Sequence, residues 1–86
     1  MRETKYAREL CEPGLIQFTA IEEGRIERIF VKPLGQEEIR FSAWKNGKML
    51  VRPLDLMERD LLRLLADALS KDVFSQEFRA DLRSLL

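Results

Sequence analysis

Residues 52–69 read RPLDLMERDLLRLLADAL, and the reading of this stretch decides how the rest of the chain is organised. Pro53 lacks an N–H and fixes φ, so it ends whatever precedes it. Asp55 then stands where an N-cap belongs, its carboxylate able to accept from an unpaired N–H of the first turn. Glu58, three residues on, completes an acidic capping box, and both charges suit the positive end of the helix dipole. From Leu56 to Asp72 there is no Gly, Pro or β-branched residue, and the Leu, Ala, Arg and Glu that dominate are good helix formers. On a helical projection Met57, Leu61, Leu64, Leu65 and Ala68 share one face, which Leu62 and Leu69 widen to roughly 160°. Arg59, Asp60, Arg63, Asp67 and Lys71 fill the other side, with Asp55–Arg59 and Asp67–Lys71 as i,i+4 pairs. The apolar face is broader than the stripe of an ordinary surface helix. A single sheet does not cover it, so a second helix or a second copy of the chain is its natural cover.

Upstream of this helix the sequence predicts four strands. Leu15–Ile21 alternates, with Ile16, Phe18 and Ala20 on one face. Glu22-Glu23-Gly24 reads as a turn, and Arg25–Lys32 as a second strand rich in Ile, Phe and Val. Lys32-Pro33-Leu34-Gly35 is a turn with Pro second and Gly fourth. Glu38–Lys45 is the third strand and Lys48–Arg52 the fourth, joined at Asn46-Gly47, the pair that a type I′ turn requires. That turn sets Lys45 opposite Lys48, Trp44 opposite Met49, Ala43 opposite Leu50 and Ser42 opposite Val51, and opposed residues share a face. Ile39, Phe41, Ala43 and Leu50 therefore form an apolar bed for the helix. Arg40, Ser42, Trp44, Met49 and Val51 form the other face.

After the helix, Ser75 is placed to cap a final helix, Gln76–Leu85, with Phe78, Leu82, Leu85 and Leu86 in one apolar stripe. The expected fold is thus α+β, a four-stranded antiparallel sheet followed by a long amphipathic helix and a short C-terminal one. Residues 1–86 form one domain. Residues 1–13 mix charges without a clean period, with Tyr6, Ala7 and Leu10 fit for a helical turn. They are expected to be a mobile arm or a docking segment. A chain this short buries a modest fraction of its surface, and dimerisation through Met57, Leu61, Leu65, Phe78 and Leu82 is the expected remedy.

The function classes narrow by exclusion. The chain has no histidine, so His-dependent catalytic triads and the common His-containing metal sites are absent. No catalytic constellation, metal site or cofactor site is expected. Cys11 is the single cysteine, which cannot form an internal disulfide and points to a reducing, cytoplasmic setting. No apolar run approaches a membrane span, and the first residues lack the apolar core of a signal peptide.

Fifteen basic and fifteen acidic side chains cancel, but unevenly: residues 25–52 carry a net +4 and the two flanks −2 each. A basic section between acidic flanks suits a polyanionic partner. Arg40 and Trp44 on the third strand, edged by Lys45, Lys48 and Arg52, combine an aromatic platform with positive charge, as single-stranded nucleic acid requires. Burial of Trp44 with Met49 and Val51, against the first residues or a dimer partner, fits the same pattern. A protein-interaction module using the Trp44 face or the leucine-rich helices, without nucleic acid, is the competing function.

The order of strands in short hairpins followed by a long helix resembles the single-stranded-DNA-binding domain of the positive cofactor four family of transcriptional coactivators, including its bacterial and phage members. The resembling residues are IRFSAWKNGK (39–48), RPLDL (52–56) and MERDLLRLLADAL (57–69), within a matching region of about Gly14 to Ser70. The resemblance implies a curved antiparallel sheet, dimerisation through the helices, and single-stranded nucleic acid bound on the open sheet face, in transcription or replication. By position it carries the binding role onto Arg40, Trp44, Lys45, Lys48 and Arg52. The chain differs from the family in its tight Arg52-Pro53-Leu54 link, its less basic second strand and its added helix Gln76–Leu86.

Overall fold

The computed structural model describes residues 1–86. Its elements run β1 (Ala7–Glu9), β2 (Gly14–Gln17), β3 (Glu22–Val31), β4 (Gln36–Lys45), β5 (Lys48–Met49), β6 (Leu54–Leu56), α1 (Glu58–Ser70) and α2 (Gln76–Leu85). The fold is α+β, a curled antiparallel sheet of six strands with two helices. At its centre β3 and β4 pair continuously from Glu22↔Lys45 to Val31↔Gln36. The row outside β3 is shared by β1 (Ala7↔Val31) and β2 (Gly14↔Ile26). The row outside β4 is shared by β5 (Trp44↔Met49) and β6 (Ile39↔Leu56). Six strands thus stand where the sequence predicts four, because both outer rows are broken.

The two turns that carry glycine at a required position form as the sequence predicts. Asn46 and Gly47 both take positive φ, 52° and 76°, the type I′ geometry whose twist matches the flanking strands. Gly35, at φ 63°, closes the β3–β4 connection by donating its N–H to the Val31 carbonyl at 2.9 Å. Ser75 caps α2, its hydroxyl oxygen accepting from the Phe78 N–H at 3.1 Å.

Several expectations are corrected. Gly24 is not in a turn but inside β3, where a Cβ would lie 2.6 Å from Cζ of Phe18, so the missing side chain makes room for that ring. The turn falls earlier, at Thr19–Ile21, where the Thr19 hydroxyl accepts from the N–H groups of Ile21 and Glu22. The pairing of Ser42 with Val51 is absent. The ladder stops after Met49, Arg52 takes φ 63° and Val51 is exposed. RPLDL continues as strand β6 instead of entering the helix, so Asp55 is no N-cap. The cap position is Met57, without a side-chain cap bond. Glu58 does not complete a capping box; it accepts from Arg28 on β3 at 2.6 Å. The Asp67–Lys71 pair forms at 2.9 Å. Residues 1–13 contain strand β1 rather than a helical turn.

The helix does not lie on its expected bed. α1 meets the sheet mainly at β4, and no residue of α1 or α2 is buried. Ile16, Phe18, Ile26 and Leu54 on the apolar sheet face stay more than half exposed. All but one of the buried residues lie on the opposite face, under the first residues of the chain: Ala7, Ile29, Val31 and Trp44, with Glu27, Glu38, Arg40 and Ser42 among them; the exception is Ile39, buried on the apolar face beside its β6 partner Leu56. What holds α1 to the sheet is its first turn, where Glu58 accepts from Arg28 on β3.

The type I′ turn yields a prediction. Gly47→Val forces a β-branched residue to φ 76° and is expected to destabilise the fold by roughly 1–2 kcal/mol in urea denaturation.

Candidate nucleic-acid interface

Side chains alternate between the two faces of a strand, and the β3–β4 register fixes which residues meet. Arg25 faces Ser42, Glu27 faces Arg40 and Glu23 faces Trp44. Together they make a polar patch around the one tryptophan of the chain. The Trp44 indole N–H donates to the Ser42 hydroxyl oxygen at 3.0 Å, and that hydroxyl donates to Glu27 at 2.8 Å. The relay satisfies the indole N–H, the Ser42 hydroxyl and one oxygen of Glu27 in series, as burial requires. Arg25 lies over the Trp44 ring at 3.9 Å from its centroid, held by Glu23 at 2.7 Å.

The N-terminal segment closes over this patch. Arg2 lies 4.8 Å above the Trp44 ring and 3.6 Å from both Glu9 and Glu27. Its main-chain N–H donates to the Glu9 carboxylate at 2.8 Å. Burial alone would raise the Glu9 carboxyl. The Arg2 main-chain N–H, the adjacent Glu27 carboxyl and the Arg2 charge outweigh it and hold Glu9 below the usual carboxylate value. Tyr6 covers Arg40, whose guanidinium carbon is 5.9 Å from its ring centroid. Lys32 ties the segment down from outside, donating to Glu3 and to the Thr4 carbonyl.

The five residues singled out from the sequence separate into two groups. Trp44 and Arg40 lie on the covered face, 7% and 5% exposed. Trp44 thus takes the buried of its two expected placements. Arg40 makes a two-pronged ion pair with Asp55, at 2.7 and 2.8 Å. The Asp55 hydrogen bond raises the Arg40 pKa further despite its burial. Lys45 and Lys48 are exposed and oppose one another on the other face at the hairpin tip. Arg52 is exposed at the kink between β5 and β6. The expected single basic-aromatic face is therefore a buried aromatic centre with an exposed cationic edge.

Arg2, Arg25 and Glu27 complete the site and were not legible as members of it. Arg25 and Glu27 become so once the Gly35 turn sets the β3–β4 register, since both then fall on the Trp44 side. Arg2 carries no such signal, because its approach depends on the fold of residues 1–10. No protein-family model matches the chain, and neither a curated protein nor a solved structure matches it.

The Arg40–Asp55 pair is the strongest polar constraint near the site, with side chains 6% and 15% exposed. Asp55→Ala strands a buried guanidinium and is expected to cost about 3–5 kcal/mol in chemical denaturation, whereas Arg40→Met combined with Asp55→Leu costs less than the single change.

Proposed function

We propose that this protein is a non-catalytic module that binds single-stranded nucleic acid as a homodimer. The observation that carries this reading is the aromatic-cationic end of the sheet. Trp44 lies under two guanidinium groups at the end of β4 where Lys45, Lys48 and Arg52 stand exposed. A ring that can stack once uncovered, with side chains for phosphate at the adjoining edge, is a combination that binds single strands without strong base preference. The resemblance of IRFSAWKNGK and RPLDL to the positive cofactor four domain supports the same reading.

A protein-interaction reading is favoured by a separate observation, the amount of apolar surface left open. A groove of about 380 Å³ on the apolar sheet face is lined by Leu15, Ile16, Phe18, Ile26 and Phe41. Leu62, Leu64, Leu65 and Phe78 on the helices are exposed as well. The chain exposes 6779 Å², whereas a folded monomer of its mass exposes about 5,300 Å². The excess, about 1,500 Å² per chain, matches the area each partner loses in an obligate homodimer. A second copy is the occupant we assign to this surface, which leaves the Trp44 end for the ligand. Such a dimer includes Met57, Leu61, Leu65, Phe78 and Leu82.

Two measurements test this reading. In a titration with a labelled oligothymidylate at two salt concentrations, Lys45→Ala, Lys48→Ala and Arg52→Ala are each expected to weaken binding. Each should flatten the log–log salt slope by about 0.7. No binding by the parent at low salt overturns the nucleic-acid reading. In sedimentation equilibrium at micromolar concentration the chain is expected to run as a dimer, and a clean monomer overturns the assignment of the apolar surface to a second copy.

A further inference from the structure

We propose that residues Met1–Leu10 form a displaceable cover over the nucleic-acid site, with Arg2 occupying the place above Trp44 that a base takes when ligand binds. The proposal rests on the nucleic-acid reading and adds a regulation of the same site.

Three observations lead to it. First, the guanidinium of Arg2 lies over the Trp44 ring at 4.8 Å. A planar guanidinium stacks on an aromatic face much as a nucleobase does. The cover and a base therefore compete for one surface, and Trp44, 7% exposed, offers almost none of it while the segment is docked and Arg25 of β3 lies over the ring at 3.9 Å.

Second, the docked state is incompletely satisfied. Nε of Arg2 and Oε2 of Glu27 are buried without a hydrogen-bond partner. Each of the two Arg2 ion pairs is 3.6 Å long, beyond the range of a charge-assisted hydrogen bond. Buried polar groups left unpaired work against the state that buries them. An arrangement built for permanence closes such groups, as the Ser42–Glu27 bond does at 2.8 Å.

Third, the segment is held at one edge of the sheet, by Ala7 packed on Ile29 and Val31, by a short ladder and by the main-chain bonds that flank it, Lys32 N–H to Tyr6 and Leu10 N–H to Arg28. β1 is three residues long and pairs only with the end of β3, from Ile29 to Val31. The Glu3–Lys32 pair and the Thr4 carbonyl contact are on the surface, where ion pairs contribute little. Short edge elements of this kind open before the rest of a domain does. When the cover leaves, Glu27 keeps the Ser42 hydroxyl, and Arg40 stays beside it through the β3–β4 register. The core of the sheet does not need the segment to satisfy its central carboxylate.

The proposal makes a forecast opposite in sign to a simple charge effect. If Arg2 were one more cation facing phosphate, Arg2→Ala would weaken binding. If it is the cover, Arg2→Ala tightens binding, by up to about tenfold where the parent is open a tenth of the time. Tyr6→Ala, which loosens the segment at Arg40 without touching Glu27, tightens it in the same direction and serves if Arg2→Ala fails to fold. The probe is the labelled oligothymidylate at low salt, with circular dichroism as the check on folding. Trp44, being the only tryptophan, supplies the second readout. Acrylamide quenching of its emission is expected to rise in both variants without ligand. Parent protein that binds the probe while both folded variants bind it equally or more weakly, with unchanged quenching, overturns the cover and leaves the nucleic-acid reading standing. Failure of the parent to bind overturns the nucleic-acid reading, and the competition with it.

Discussion

The continuous ladder between β3 and β4 is the constraint on which every other part of this structure depends. Its register, set at one end by the Gly35 turn, decides which residues share a face. It puts Glu27, Arg40, Ser42 and Trp44 side by side and sends Ile26, Ile39 and Phe41 the other way. A shift by one residue would exchange these two sets, because side-chain direction alternates along a strand. All four outer strands are short, and the only other strands they pair with are those of this hairpin. They have no independent claim to order.

The polarity of the two faces is the reverse of what a self-sufficient small domain requires. The face that the chain covers with its own first residues holds two glutamates, an arginine, a serine and a tryptophan beside the small apolar cluster of Ala7, Ile29 and Val31. These groups tolerate burial because they are paired: Arg40 with Asp55, Ser42 with Glu27, the indole N–H with Ser42. The face that carries Ile16, Phe18 and Ile26 is left mostly open, with Ile39 buried on it. Paired charges under a cover and apolar side chains in the open make sense together if the second surface belongs to an assembly. The apolar face then supplies most of the hydrophobic stabilisation, which scales with the area removed from water. The ion pairs of the covered face contribute little net stability and a specific arrangement of charges instead.

Asp55 illustrates how one side chain can satisfy two local rules and be assigned by a distant partner. Its position after Pro53 and ahead of a helical run suits an N-cap. Arg40, fifteen residues earlier, offers two parallel N–H donors in a site largely closed to water. A bidentate, partly buried pair is stronger than a single cap bond on an exposed helix end. Asp55 therefore stays in β6, and α1 begins at Glu58. Glu58 is diverted in the same way by Arg28. Local patterns marked both residues as structurally committed, and long-range charge chose the commitment.

By itself the sequence determined the features that depend on near neighbours. Asn46-Gly47 required its turn because both residues must take positive φ, and with it came the opposition of Trp44 to Met49 and Lys45 to Lys48. Leucine spacing determined α1 and α2, and Ser75 determined where α2 starts. Alternation put Arg40, Ser42 and Trp44 on one face. The tertiary structure alone decided what lies above that face, because the docking of Arg2 over Trp44 joins residues far apart in the chain and has no periodic signature. It also decided that the outer strands break and that the helix runs off the sheet. These outcomes follow from competing long-range pairs, which no short window of residues contains.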